Sequence, residues 1–106
     1  MGDWANGASG RGAEQPVTEA TLTCLGYQQI TSLAAAAALT VPTGARLAVI
    51  VAETQAVRWR DDGTDPTSSV GMPLATGVQF TYPGDLAAIK FIEQTASAKL
   101  NVSYYK

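Results

Sequence analysis

Five stretches of this chain alternate apolar with other side chains at a period of two, and that alternation decides most of what the chain can fold into. They are residues 45–53 (ARLAVIVAE), 55–60 (QAVRWR), 77–82 (GVQFTY), 87–92 (AAIKFI) and 98–105 (AKLNVSYY). An extended backbone points successive side chains to opposite faces, whereas a helix needs apolar positions three and four apart. Turn signals separate the stretches roughly every eight to twelve residues. Pro42-Thr43-Gly44, Asp61-Asp62-Gly63, Pro83-Gly84-Asp85 and Thr95-Ala96-Ser97 are the clearest, because proline presets φ and glycine supplies positive φ. The expected fold is all-β: six to eight short antiparallel strands forming a small β-sandwich or barrel.

Individual stretches carry sharper expectations. Residues 45–53 are apolar on both faces, which predicts a strand covered on both sides. In residues 98–105, Leu100, Val102 and Tyr104 should point inward and Lys99, Asn101 and Ser103 outward. Residues 17–30 are rich in Thr, Val and Tyr and read as a further strand, with Gly26 at a bulge or bend. Cys24, the lone cysteine, is expected there as a buried, inert thiol. Residues 33–39 set a trap: five consecutive alanines favour helix, but the run is too short to be stable alone and Pro42 follows. A loop or a single helical turn is expected. Residues 1–16, with four glycines and three alanines, are read as a flexible arm, and 17–106 as one β-sandwich domain. Trp4 is an apolar anchor within that arm, suited to docking on a neighbouring surface.

Polar chemistry concentrates in residues 57–73, VRWRDDGTDPTSSVGMP. Arg58, Trp59, Arg60, Asp61, Asp62 and Asp65 lie within eight residues of one another, in a chain of which 15% is charged. Alternation turns Trp59 inward and the two arginines outward. The three carboxylates invite a calcium reading, but the ligand alternation and the closing glutamate of an EF-hand are missing. Turn capping and pairing with Arg58 or Arg60 account for them. Trp and Arg together also suit an interface. Trp4, Arg58, Trp59, Arg60, Asp61, Asp62 and Asp65 are therefore the candidate interface residues. Trp59, Tyr82, Tyr104 and Tyr105 offer an alternative, a sugar-binding platform, although aromatics on alternating strands more often form core.

Composition narrows the chemistry. The chain has no histidine, which removes the commonest general base and transition-metal ligand. Ser68 and Ser69 stand without a nucleophile elbow, no phosphate-cradling glycine pattern follows a strand, and no catalytic residue, cofactor or metal is expected. A net charge of −2 argues against general nucleic-acid binding. The N-terminus lacks a signal-peptide pattern, Asn6 breaks the myristoylation motif, and Gly26, Pro42 and Gly44 interrupt the longest uncharged stretch, so no membrane association is expected.

Residues 57–74 (VRWRDDGTDPTSSVGMPL) and 82–105 (YPGDLAAIKFIEQTASAKLNVSYY) resemble a group of small tailed-phage and prophage proteins. ITSLAAAAALTVPTGARLAVIVAE fits as well, so the resemblance covers roughly residues 28–105, with the glycine-rich arm unmatched. Proteins of that group are taken for virion components. In size and strand pattern the chain is also similar, more loosely, to the jelly-roll cementing proteins that decorate phage heads. The resemblance implies a non-enzymatic virion structural protein with a jelly-roll-like barrel, most simply a capsid decoration protein. Such a protein would be assembled in the bacterial host cytoplasm and bind the major capsid protein or another virion protein. A tail or neck component is the nearest variant, and a small carbohydrate-binding module the alternative of another class. Short strands leave edges that a second copy would cover, which predicts a homodimer or homotrimer.

Overall fold

A computed structural model describes residues 21–106, and the candidate residue Trp4 and the 1–16 arm lie outside them. The described residues form eight strands: β1 (Cys24–Ile30), β2 (Ala37–Ala38), β3 (Leu47–Glu53), β4 (Val57–Arg60), β5 (Met72–Leu74), β6 (Gln79–Tyr82), β7 (Lys90–Glu93) and β8 (Lys99–Tyr105). They divide into two four-stranded sheets in the orders β1-β8-β3-β6 and β2-β7-β4-β5. Every strand pair is antiparallel. First pairs with last, second with seventh, third with sixth and fourth with fifth, so the chain is a long hairpin rolled into a sandwich: the strand order of a jelly roll.

The core is what alternation predicts. Ala48, Ile50 and Ala52 of β3, Leu100, Val102 and Tyr104 of β8, Val57 of β4 and Phe91 of β7 are buried between the sheets. Register aligns the inward set: Ile50 opposes Val102 on one side and Phe80 on the other. Outward-facing Lys99, Asn101 and Ser103 are half-buried. Strand 87–92 begins later than its sequence implies. Asp85 accepts the Ala87 amide through its side chain (3.0 Å) and the Ala88 amide through its carbonyl (3.0 Å), so the chain turns before Lys90. Ile89 is nevertheless buried, as its position in the alternation requires.

Three expectations need correction. Cys24 is exposed, not buried. It opens β1 opposite Tyr105, and the ladder slips between Cys24 and Gly26, which breaks the alternation that pointed inward. The outer face of β3 (Leu47, Val49, Val51) is half-buried, with no second layer over it among the described residues, so the strand is fully covered on one side alone. The alanine run has no helical turn and its first three alanines are loop, but Ala37 and Ala38 pair with Phe91 and Lys90 as a two-residue strand. Burial of Leu33 and Leu39 at its two ends pulls the segment across the sheet edge, and tertiary pairing overrides helix propensity.

Candidate functional site

The eleven residues between β4 and β5 do not hang free, and the sequence shows why. Arg58 points outward from β4 and folds its guanidinium over the returning chain. Its Nη1 donates to the Gly71 carbonyl (2.9 Å) and its Nε to that of Ser68 (3.3 Å). With its amide oxygen turned toward these donors, Gln94 accepts from Arg58 Nε as well, at 3.0 Å. Thr67 closes the tip: its amide donates to the Val70 carbonyl (2.8 Å), and its hydroxyl accepts the Val70 amide (2.9 Å). Pro66 is buried beneath. Gly71 completes the return at φ +146°, where a Cβ would stand 3.1 Å from Arg58 Cβ and 3.2 Å from the Trp59 carbonyl oxygen. The backbone angle strains any side chain there, and the space leaves a Cβ tight against its neighbours.

Within this frame the candidate residues separate. Arg60 and Asp62 form a two-pronged ion pair, with Nε donating to Oδ1 at 3.0 Å and Nη2 to Oδ2. That pair raises the Arg60 pKa and lowers that of Asp62. Asp62 Oδ1 also accepts the Thr64 amide (3.3 Å), which caps the turn. Asp65 is salt-bridged to Lys90 at 3.0 Å. Asp61 is exposed, and its Oδ2 accepts the Tyr82 hydroxyl at 2.6 Å. Burial, and then this bond to a carboxylate, push the Tyr82 phenol up to about 12. No aspartate pairs with Arg58. Among the described residues no three carboxylate or thiol groups converge as metal ligands.

Trp59 lies on the inward face of β4, but at the rim. Its cross-strand neighbours are Phe91, fully buried, and Met72, exposed on edge strand β5. The indole stacks on Phe80 of the opposite sheet, with centroids 5.0 Å apart and planes at 21°. Tyr82 tilts against both rings, at 6.0 and 5.8 Å. Where β5 and β6 leave the two sheets unjoined, this aromatic cluster closes the sandwich. In front of it lies a groove of about 480 Å³ lined by Trp59, Arg60, Asp61, Asp62, Val70, Gly71 and Met72. Val70 and Met72 form its apolar lip and are 53% and 56% exposed.

The structure thus brings Trp59, Arg60, Asp61 and Asp62 to one groove. It puts Arg58 behind them as the clamp on the loop, and Asp65 away on Lys90. Val70, Gly71 and Met72 were not singled out by sequence. Met72 opposes Trp59 in register, and a signal existed in the apolar residues that follow a polar loop directly. The four aromatics considered as a sugar platform do not share a surface: Tyr82 and Tyr104 are buried, and Tyr105 lies on the outer face of the other sheet. Comparison with protein-family models, curated proteins and solved structures found no match to this chain.

Proposed function

We propose that this chain is a non-enzymatic virion structural protein, a head decoration or cementing protein that docks on its shell through the β4–β5 loop. One observation carries the reading: a braced loop and the start of β5 hold two exposed apolar side chains, Val70 and Met72, at the lip of a groove floored by Trp59. Tryptophan framed by arginine and aspartate on a pre-ordered surface is the composition of a binding hot spot, since little conformational entropy is lost on docking. The resemblance of residues 57–74 and 82–105 to small phage and prophage proteins supplies the kind of partner, the major capsid protein. The jelly-roll strand order agrees with the looser similarity to cementing proteins, although a fold alone does not assign a function. Self-association as a dimer or trimer belongs to the same proposal.

Co-sedimentation with purified capsids tests it. The unaltered protein should pellet with shells. Val70→Asp combined with Met72→Lys should abolish pelleting, with a folding stability within about 0.5 kcal/mol of the parent, as exposed substitutions usually show. Light scattering reads the self-association. A monomer that leaves capsids untouched would sink the proposal and favour a tail or neck component or the carbohydrate-binding module.

A further inference from the structure

We propose that the groove beside Trp59 is a receptor for one arginine side chain of a partner protein, whose guanidinium lies on the open part of the indole and pairs with Asp61. The inference rests on the reading of this face as a docking surface and adds the chemistry of what enters it.

Charge complementarity selects the occupant. Of the charged groups lining the groove, Arg60 and Asp62 close on each other through two contacts. Asp61 has no cationic partner among the described residues, where its one bond is the acceptance of the Tyr82 hydroxyl at Oδ2. Asp61 lines the groove, and its Oδ1 accepts no hydrogen bond from the described residues. Tyr82 is held from behind by Trp59 and Phe80, so it fixes the carboxylate without neutralising it. The net charge of the lining, one arginine against two aspartates, is −1.

The aromatic surface points the same way. Phe80 supports one face of the Trp59 indole, and the ring itself lines the groove. A guanidinium is planar and weakly hydrated, so it lies flat on an indole while its edge donates to a carboxylate, whereas a compact ammonium has no plane to stack and holds its water more tightly. Met72 and Val70 provide apolar walls for the methylenes behind the guanidinium. A saccharide is the poorer match. Its hydroxyls need donors and acceptors in balance, yet the paired edge of Arg60 is already occupied by Asp62, and no second aromatic shares the groove.

The test uses the full-length protein and two small probes, N-acetyl-arginine amide and N-acetyl-citrulline amide, the second being the neutral isostere. Signals of the Trp59 indole N–H and the Gly71 amide are followed by NMR at low ionic strength. The arginine probe should shift both signals saturably, the citrulline probe should not, and added salt should weaken the binding. Asp61→Asn retains an oxygen for the Tyr82 hydroxyl and should weaken arginine binding about tenfold, the loss of one charge partner beside an aromatic. Absence of a saturable shift, equal binding of the two probes, or an unchanged affinity in Asp61→Asn would overturn the assignment. The probe comparison on the unaltered protein stays decisive if the variant folds poorly. Because no capsid is present, arginine binding without capsid binding would refute the shell as partner while keeping the groove, and capsid binding without arginine binding would do the reverse.

Discussion

Removing the Trp59 ring measures how far the rim of this sandwich depends on it. An aromatic side chain buries about 150–250 Å² when fully enclosed, and Trp59 is enclosed on its Phe80 side and open on the groove side. About half of that area, at about 25 cal/mol per Å², contributes roughly 2.5 kcal/mol. The stack on Phe80 adds about 0.5–1.5 kcal/mol that area does not capture. Trp59→Ala should therefore destabilise the fold by about 3 kcal/mol, at the low end for a large aromatic lost from a core. For a domain of this size the melting temperature should fall by roughly 12–24 °C. Urea unfolding followed by far-ultraviolet circular dichroism suits the measurement, because the substitution removes a tryptophan reporter. A double-mutant cycle with Phe80→Ala isolates the stack, and its coupling should lie between about 0.5 and 1.5 kcal/mol. A loss under about 1 kcal/mol with no coupling would mean that the two sheets are closed by β3, β8 and Phe91 alone, and that the aromatic bridge is incidental.

Three further outcomes are expected. Tyr82 and Tyr104 are both raised to about 12, chiefly by burial, so each stabilises the fold fully below its unfolded value near pH 10 and loses that contribution as pH rises toward 12. Unfolding free energy should fall by on the order of 1 kcal/mol per tyrosine between pH 8 and about pH 11, and an unchanged value would contradict their burial. Gly84→Ala would set a Cβ 2.5 Å from Tyr82 Cζ and force the ring off Asp61. A cost of about 1–3 kcal/mol is expected by chemical denaturation, and a neutral result would mean that Tyr82 has room to move. Cys24 should react completely with an aromatic disulfide reagent in the folded protein, and a thiol that reacts after denaturation alone would restore the buried reading.

The fold was legible because its information is local. Period-two alternation survives in β3, β7 and β8, and the inward sets Ala48–Ile50–Ala52 and Leu100–Val102–Tyr104 follow from it directly. Failures came where a distant partner outweighs local preference. Nothing around Ala37 announces that Phe91 and Lys90 lie beside it, and nothing around Cys24 announces the slip in register against β8. The site was half legible. Residues 58–65 were conspicuous by composition, but whether Asp61 faces a cation or a phenol depends on Tyr82, 21 positions away. The sugar platform considered for the aromatics fails for the same reason, since strand order and not sequence spacing decides which rings meet.

The location of the groove follows from the jelly-roll order itself. Rolling the hairpin places β5, the strand just after its bend, and β6, the next along the chain, at the free edges of opposite sheets. A central strand has hydrogen-bonded neighbours on both sides, whereas these two have one each, and the inward faces beside them lie at an open mouth. Burial at such a mouth requires rings large enough to reach across it. Trp59 and Phe80 meet from opposite sheets, and their meeting leaves the far part of the indole uncovered. Pro73 in β5 lacks the amide that a further strand would need at that position, so added pairing there is discouraged while side-chain docking is not. The Arg58 clamp and Gly71 then keep the loop from collapsing onto the ring. An exposed apolar lip held open by polar contacts is a costly arrangement for an isolated domain, and it supports the proposal that a partner's side chain completes the surface.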